Sequence, residues 1–106
     1  MYYPINNFTF KGIMEGNDLQ HKYVALLINI NTEQLIILPF GNIYSTHYRD
    51  MTNLNSYSHL DTNNLDDRRR FILNNTILIK GGYYNSTYFE MKYLYNFDRF
   101  LINSSI

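Results

Sequence analysis

Four residues of the chain have side chains that could do acid–base or metal chemistry and lie close in sequence: His47, Asp50, His59 and Asp61, with Asp66 and Asp67 a few positions on. An imidazole beside a carboxylate can relay a proton, and a set of such groups can hold a divalent cation. The spacing favours neither use. There is no H-E-x-x-H, no H-x-H and no serine elbow, the arrangements that bring such groups together on one element. The simpler expectation is that His59 and Asp61 make local hydrogen bonds that fix a loop and cap the helix after it. A small metal-dependent hydrolase at His47, His59 and Asp61 ranks last among the functions considered. No catalytic residue, metal ligand or cofactor is assigned.

Phosphate binding is the second chemistry within reach. Arg68, Arg69 and Arg70 are consecutive, and Arg49 lies upstream. Guanidinium groups bind phosphate in a bidentate way, so a nucleic-acid-binding module using these residues and nearby tyrosines is one alternative. Three successive helical residues point in different directions, however, and only one or two could face a single ligand. Asp66 and Asp67 stand ready to pair with them on a solvated helix face. The third chemistry is recognition by aromatic rings. Tyr83, Tyr84, Tyr88, Tyr93 and Tyr95 are too many in a short stretch all to be buried, and tyrosine suits protein interfaces because a rigid ring carries a polar tip.

These groups need a scaffold, and the strongest local pattern supplies a hairpin. Tyr23–Ile30 and Leu35–Phe40 are β-branched and aromatic runs separated by a short polar connection, which predicts two antiparallel strands. Pro39 cannot donate to a ladder, so the second strand ends there or lies at an edge. Gly41 marks the exit from the sheet. Asn42–Asp50 is expected to form a short helix and Met51–Tyr57 a loop. The segment Asn64–Leu73 has an Asn cap, acids in its first turn and arginines after them, an order that suits the helix dipole and allows Asp66–Arg70 pairing. Leu65, Ile72 and Leu73 would face the core, with Arg69 lying along the same side. Thr76–Lys80 reads as a further strand closed by Gly81-Gly82. A final helix begins at Thr87, where Thr87-x-x-Glu90 fits a capping box and Tyr88, Met91 and Tyr95 recur at helical spacing. The first 20 residues read as an extended arm, with one short strand at Asn7–Phe10, and a turn marked by Gly12, Gly16, Asn17 and Asp18; residues 21–98 read as the folded core and 99–106 as a tail.

Bulk properties narrow the functions further. A chain of 106 residues with 9 basic and 9 acidic side chains is one small domain without the positive excess of a nonspecific nucleic-acid coat. Having no cysteine, it forms no disulfide, thiolate zinc site or catalytic thiol. It carries no G-x-x-x-x-G-K and no G-x-G-x-x-G to cradle a nucleotide. No apolar run approaches the roughly 20 residues of a membrane helix, because Asn29, Asn31, Thr32, Glu33 and Gln34 interrupt the longest candidate, Tyr23 to Leu38. Asn, Ile and Tyr are abundant, as an A+T-rich genome would produce. The same bias accounts for N-x-S/T triplets such as Asn85-Ser86-Thr87, and the chain is not expected to be secreted.

Several short blocks keep a recognisable order: Phe40-Gly41; Tyr44-Ser45-Thr46-His47-Tyr48-Arg49-Asp50; Tyr57-Ser58-His59-Leu60-Asp61; Asp66-Asp67-Arg68-Arg69-Arg70; and Tyr88-Phe89-Glu90-Met91-Lys92-Tyr93-Leu94-Tyr95. Together they resemble a family of small proteins of large DNA viruses and phages. Its pattern is a hairpin ending in F-G, a Y-x-x-Y-x-D segment, Y-S-H-L-D, a D-x-x-R-R helix and a closing Y-L-W. The family carries a Tyr and a basic R-H pair where this chain has Phe71 to Asn75, ends in Trp where this chain has Tyr95, and is more basic. The resemblance implies a viral origin and no particular mechanism. It makes Phe40, Gly41, Tyr57, His59 and Asp61 structural motif residues.

The expected fold is therefore α+β: a small antiparallel hairpin or sheet with two to three helices on one face. The expected function is that of a non-catalytic viral accessory or virion-associated protein. It would present Tyr83, Tyr84 and Tyr88 and extended ends to a larger assembly of capsid, tail or other virion proteins, in the virion or the host-cell cytoplasm. Nucleic acid is the alternative partner, and no membrane is expected.

Overall fold

The apolar run that starts beside Lys22 becomes the middle of the sheet. A computed structural model of the chain describes residues 2–78 and 81–97. Strand β3 (His21–Asn29) is flanked by β2 (Phe8–Glu15) and β4 (Leu35–Asn42), with both pairings antiparallel. Two short strands, β1 (Tyr3–Pro4) and β5 (Tyr83–Tyr84), pair antiparallel as a second sheet and tie the start of the chain to the entry of the last helix. The helices are α1 (Leu65–Asn75) and α2 (Ser86–Leu94). This is a small α+β fold, with two α-helices among the described residues. No helix among those residues is long and apolar enough to cross a membrane.

Side chains alternate across a strand, and here the two faces have different fates. Tyr23, Ala25 and Leu27 of β3 join Leu38 and Phe40 of β4 beneath Tyr88, Phe89, Met91 and Leu94 of α2 to form the core. Phe89 is the hub of this layer, with Phe10, Phe40, Tyr84 and Tyr88 at ring-centroid distances of 5.3, 5.7, 5.6 and 4.8 Å. On the opposite face the register aligns Val24 with Pro39, Leu26 with Ile37 and Ile28 with Leu35, while Met14 lies beside Val24 from β2. The hairpin loop between β3 and β4 is closed by Asn29, whose Oδ1 accepts from the backbone N–H of Asn31 and Thr32 at 2.8 and 3.0 Å.

Several elements differ from the sequence expectation. The stretch expected to be an arm and a turn contains the full edge strand β2; Gly12 sits not in a turn but at a bulge, where the register shifts after Phe10 and φ is +134°, the region that favours glycine. Asn42–Asp50 is not helical. Asn42 Oδ1 accepts from the Tyr44 N–H at 2.8 Å to close a turn, and the backbone beyond it runs extended along residues 61–63. Helix α1 does begin after an Asn64 cap, which accepts from the N–H of Asp66 and Asp67 at 2.8 and 3.2 Å. Its inward side is Arg68, Phe71 and Ile72, however, whereas Leu65 and Leu73 are 63% and 70% exposed. The acids and arginines pair one residue closer than expected, Asp66 with Arg69 at 3.5 Å and Asp67 with Arg70 at 3.3 Å. Thr76–Leu78, expected to be a strand, continues α1 as a 3₁₀ turn; Ile79 and Lys80, like the expected tail, lie outside the described residues. Helix α2 starts one residue early, with Asn85 rather than Thr87 as its cap, accepting from the Tyr88 N–H at 2.8 Å. Strand β4 runs on past Pro39, which occupies an edge as the missing donor requires; its carbonyl accepts from Ser86 Oγ at 2.7 Å.

Candidate functional site

Lys22, at the start of the central strand, is 2% exposed. A buried ammonium needs partners, and the chain brings them from a distant loop. Its Nζ is 2.7 Å from His47 Nδ1 and lies 5.5 Å from the centre of the Tyr57 ring. Burial lowers the Lys22 pKa, while the carboxylates of Asp61 and Asp50 oppose that shift. An ammonium can only donate, so Nδ1 of His47 accepts and the proton of the neutral imidazole sits on Nε2. His47 is itself buried, and burial together with Lys22 depresses its pKa to about 4, against a smaller opposing pull from Asp50.

Asp50 is the other anchor. It accepts from the Tyr23 hydroxyl through Oδ2, and its Oδ1 accepts from the Thr52 N–H and hydroxyl at 3.0 and 2.6 Å. Burial, reinforced by that bond to Asp50, pushes the Tyr23 phenol up to about 12. Asp61 Oδ1 accepts from the Asp50 N–H at 3.0 Å, and His47 forms an isolated bridge to Asp61. Backbone bonds from Thr62 to His47 and from Asn63 to Tyr48, both 2.9 Å, complete the seam between these two stretches. The extended path of 47–50 follows from this seam: its backbone groups bond sideways to 61–63 rather than back along a helix.

The F-G pair makes the close approach possible. Phe40 is buried beside Tyr23 and Phe89. Gly41 has φ +76°, and a Cβ there would stand 2.9 Å from Leu94 Cδ1, 3.7 Å from Lys22 Cβ and 3.9 Å from His47 Cε1. A Cβ at this position would require the Leu94 side chain to shift, and the positive φ would strain any residue but glycine. Tyr57 packs edge-on to Tyr23 and stacks with the exposed His59 at 6.3 Å. His59 therefore stands apart from His47, and the third histidine, His21, is paired with Asp18 at 2.6 Å in the β2–β3 connection. Among the described residues no group of three His, Asp or Glu side chains could hold a metal ion.

The arginines are held by the fold. Arg68 donates from Nε to the Tyr95 carbonyl at 2.8 Å and from Nη2 to the Asn96 carbonyl at 3.0 Å. Arg69 and Arg70 pair with Asp66 and Asp67. Arg49 donates to Asn63 Oδ1 at 3.0 Å and lies over the Tyr48 ring. Of the tyrosines expected at an outward surface, Tyr88 is buried in the core because helix α2 turns that face onto the sheet. Tyr83 and Tyr84 are half-buried in β5, with Tyr84 packed against Phe89.

Sequence reading missed Lys22 and Tyr23 as site residues, since a strand start gives no sign of a partner twenty-five or more positions away. The blocks quoted for their order meet in space here: Phe40-Gly41, the His47–Asp50 stretch, the Tyr57–Asp61 stretch, Arg68 and Tyr95 surround one buried polar cluster. A neutral imidazole, a phenol and an ammonium thus meet in one buried polar cluster, each with a hydrogen-bond partner. No family model matches the chain, and no curated protein and no solved structure matches it either.

Proposed function

We propose that the chain is a non-catalytic component of a larger protein assembly and docks through the outer face of its three-stranded sheet. The observation that carries this reading is the character of that face. Met14, Leu35 and Ile37 are 56%, 50% and 46% exposed, and Leu26, Ile28 and Pro39 are half-buried between them. A sheet with one solvated face normally alternates apolar and polar residues; here β3 and β4 are apolar on both. Completing the burial of these half-covered side chains would contribute less than the roughly 1.5–3 kcal/mol of a full burial each, and apolar surface of this kind marks an interaction site. The contact surface is thus aliphatic and on the sheet, not the tyrosine cluster around α2.

The resemblance of the F-G, Y-S-H-L-D and D-x-x-R-R blocks to small proteins of large DNA viruses and phages supports a virion as the assembly. Nucleic acid is the weaker alternative, because Arg68 is committed to two backbone carbonyls and the chain has no net positive charge. The test uses Ile37→Lys, an exposed position where folding should be unaffected. Particles carrying the unaltered chain should retain it after nuclease treatment at a fixed copy number by mass spectrometry. Particles made with Ile37→Lys should lack it while the isolated variant melts at the original temperature. Loss of the unaltered chain with the nucleic acid, or equal incorporation of both forms, would overturn the proposal.

A further inference from the structure

A cavity of about 290 Å³ opens beside the Lys22–His47 pair, near the small end of the roughly 300–1,000 Å³ typical of ligand pockets. His47, Tyr48, Phe71 and Tyr95 line it, together with the exposed Arg70 and Asn74. None of its lining residues belongs to the outer sheet face, so the site is independent of the docking proposal.

Three of these side chains belong to residues more than nine-tenths buried, His47 at 4% and Tyr48 and Tyr95 at 6% exposed. His47 uses Nδ1 for Lys22. Among the described residues neither its Nε2 nor the hydroxyl of Tyr48 or Tyr95 has a hydrogen-bond partner, and none of the three atoms is sealed from solvent. The cavity is the open space that all three residues share. Donor-bearing residues that line one hollow and have no competing protein partner for those donors can turn them to an acceptor placed there.

The chemistry of that guest follows from the donors. Lys22 fixes the His47 proton on Nε2, so the imidazole offers an N–H to the cavity; the two phenols and Arg70 can donate beside it. The carboxylate of the wall, Asp67, is already paired with Arg70 at 3.3 Å. An ionised acceptor makes charge-assisted bonds about twice as strong as a neutral one does, and the Lys22 charge behind the imidazole favours an anion at Nε2. Phe71 and Tyr95, stacked face to face at 3.8 Å, give the wall an apolar side.

We propose that this cavity binds a carboxylate carried on a small apolar or aromatic body, with His47 Nε2–H, the Tyr48 and Tyr95 hydroxyls and Arg70 as its donors. The carboxylate comes either from a free organic acid or from an acidic side chain of a bound peptide. The test is an NMR titration of the full chain at neutral pH with benzoate, with its neutral counterpart benzamide, and with a short blocked peptide containing one Glu. Benzoate should saturate and move the His47 Nε2–H resonance while leaving His59 in place, and benzamide should bind about tenfold more weakly. Arg70→Ala, at an exposed position, should weaken benzoate about fivefold without changing the melting temperature. A matching shift with the Glu peptide assigns the carboxylate to a protein partner, and a shift with benzoate alone assigns it to a free acid. No saturable shift at His47 with either carboxylate, or benzamide binding as tightly as benzoate, would overturn the proposal.

Discussion

Helix α2 buries Tyr88, Phe89, Met91 and Leu94 against the sheet, whereas α1, two residues longer, buries none of its residues fully. Two of the apolar side chains of α1, Leu65 and Leu73, point to solvent. Arg68 holds the helix to the carbonyls that follow α2, the Phe71–Tyr95 stack adds one flat contact, and Asn64 satisfies its first N–H groups. The contrast teaches that two helices of similar size in one small domain can be attached by different forces. Area holds one, a few directed contacts hold the other, and only the second can open locally at low cost.

The sharpest way to break this contrast is to truncate one residue in each helix. Phe89→Ala should cost about 3–5 kcal/mol, because it empties the centre of the core. Leu73→Ala should stay within about 0.5 kcal/mol, as exposed substitutions do. Urea denaturation of both variants measures the difference, and equal losses would refute it.

A pH titration tests the same division by charge. The His47 pKa is about 4 in the folded chain against 6.5 for a free imidazole. The unfolded chain therefore binds more protons between those values, and the stability His47 provides is intact above pH 6.5 and lost as the pH falls towards 4. The loss should be on the order of 2–3 kcal/mol. Glu90 in α2 has the opposite sign. Burial raises its pKa to about 7 from 4.5, so the folded chain favours the protonated acid and loses stability as the pH rises through that window. Glu90→Gln should remove this opposing contribution, so that stability rises more steeply with pH between 4.5 and about 7 in thermal melts of the variant.

A more local effect concerns Arg68. Arg68→Ala should cost roughly 1.5–3 kcal/mol, the range for hydrogen bonds to a charged donor. Its amide-exchange signature should also be local, with faster exchange across α1 and none of the same change in α2. Uniform acceleration in both helices would show that α1 is bound into the core after all.

The contrast between the helices also explains what the sequence could disclose. The α+β class and the central hairpin were legible because Tyr23–Ile30 and Leu35–Phe40 carry strong local patterns, and the start of α1 because Asn64 caps it through its own neighbours. The inward side of α1 was not, since Arg68 faces inward only because two carbonyls beyond α2 wait for it. Gly12 misled in β2, where a glycine in a strand can mark a bulge as well as a turn. In the site, the F-G pair and the Tyr57–Asp61 block stood out as motifs. Lys22 did not, because its burial depends on His47, Asp50 and Asp61, which only tertiary structure brings near.

Pro39 has a consequence for how copies of the chain behave when crowded. It lies on the edge strand β4, where the backbone has no N–H to give, and its carbonyl is already occupied by Ser86. The other edge, β2, is interrupted by the bulge at Gly12. Neither border of the sheet offers an unbroken row of donors and acceptors, so a second copy cannot extend it strand by strand. A break at each border lowers the tendency of crowded copies to pair edge to edge.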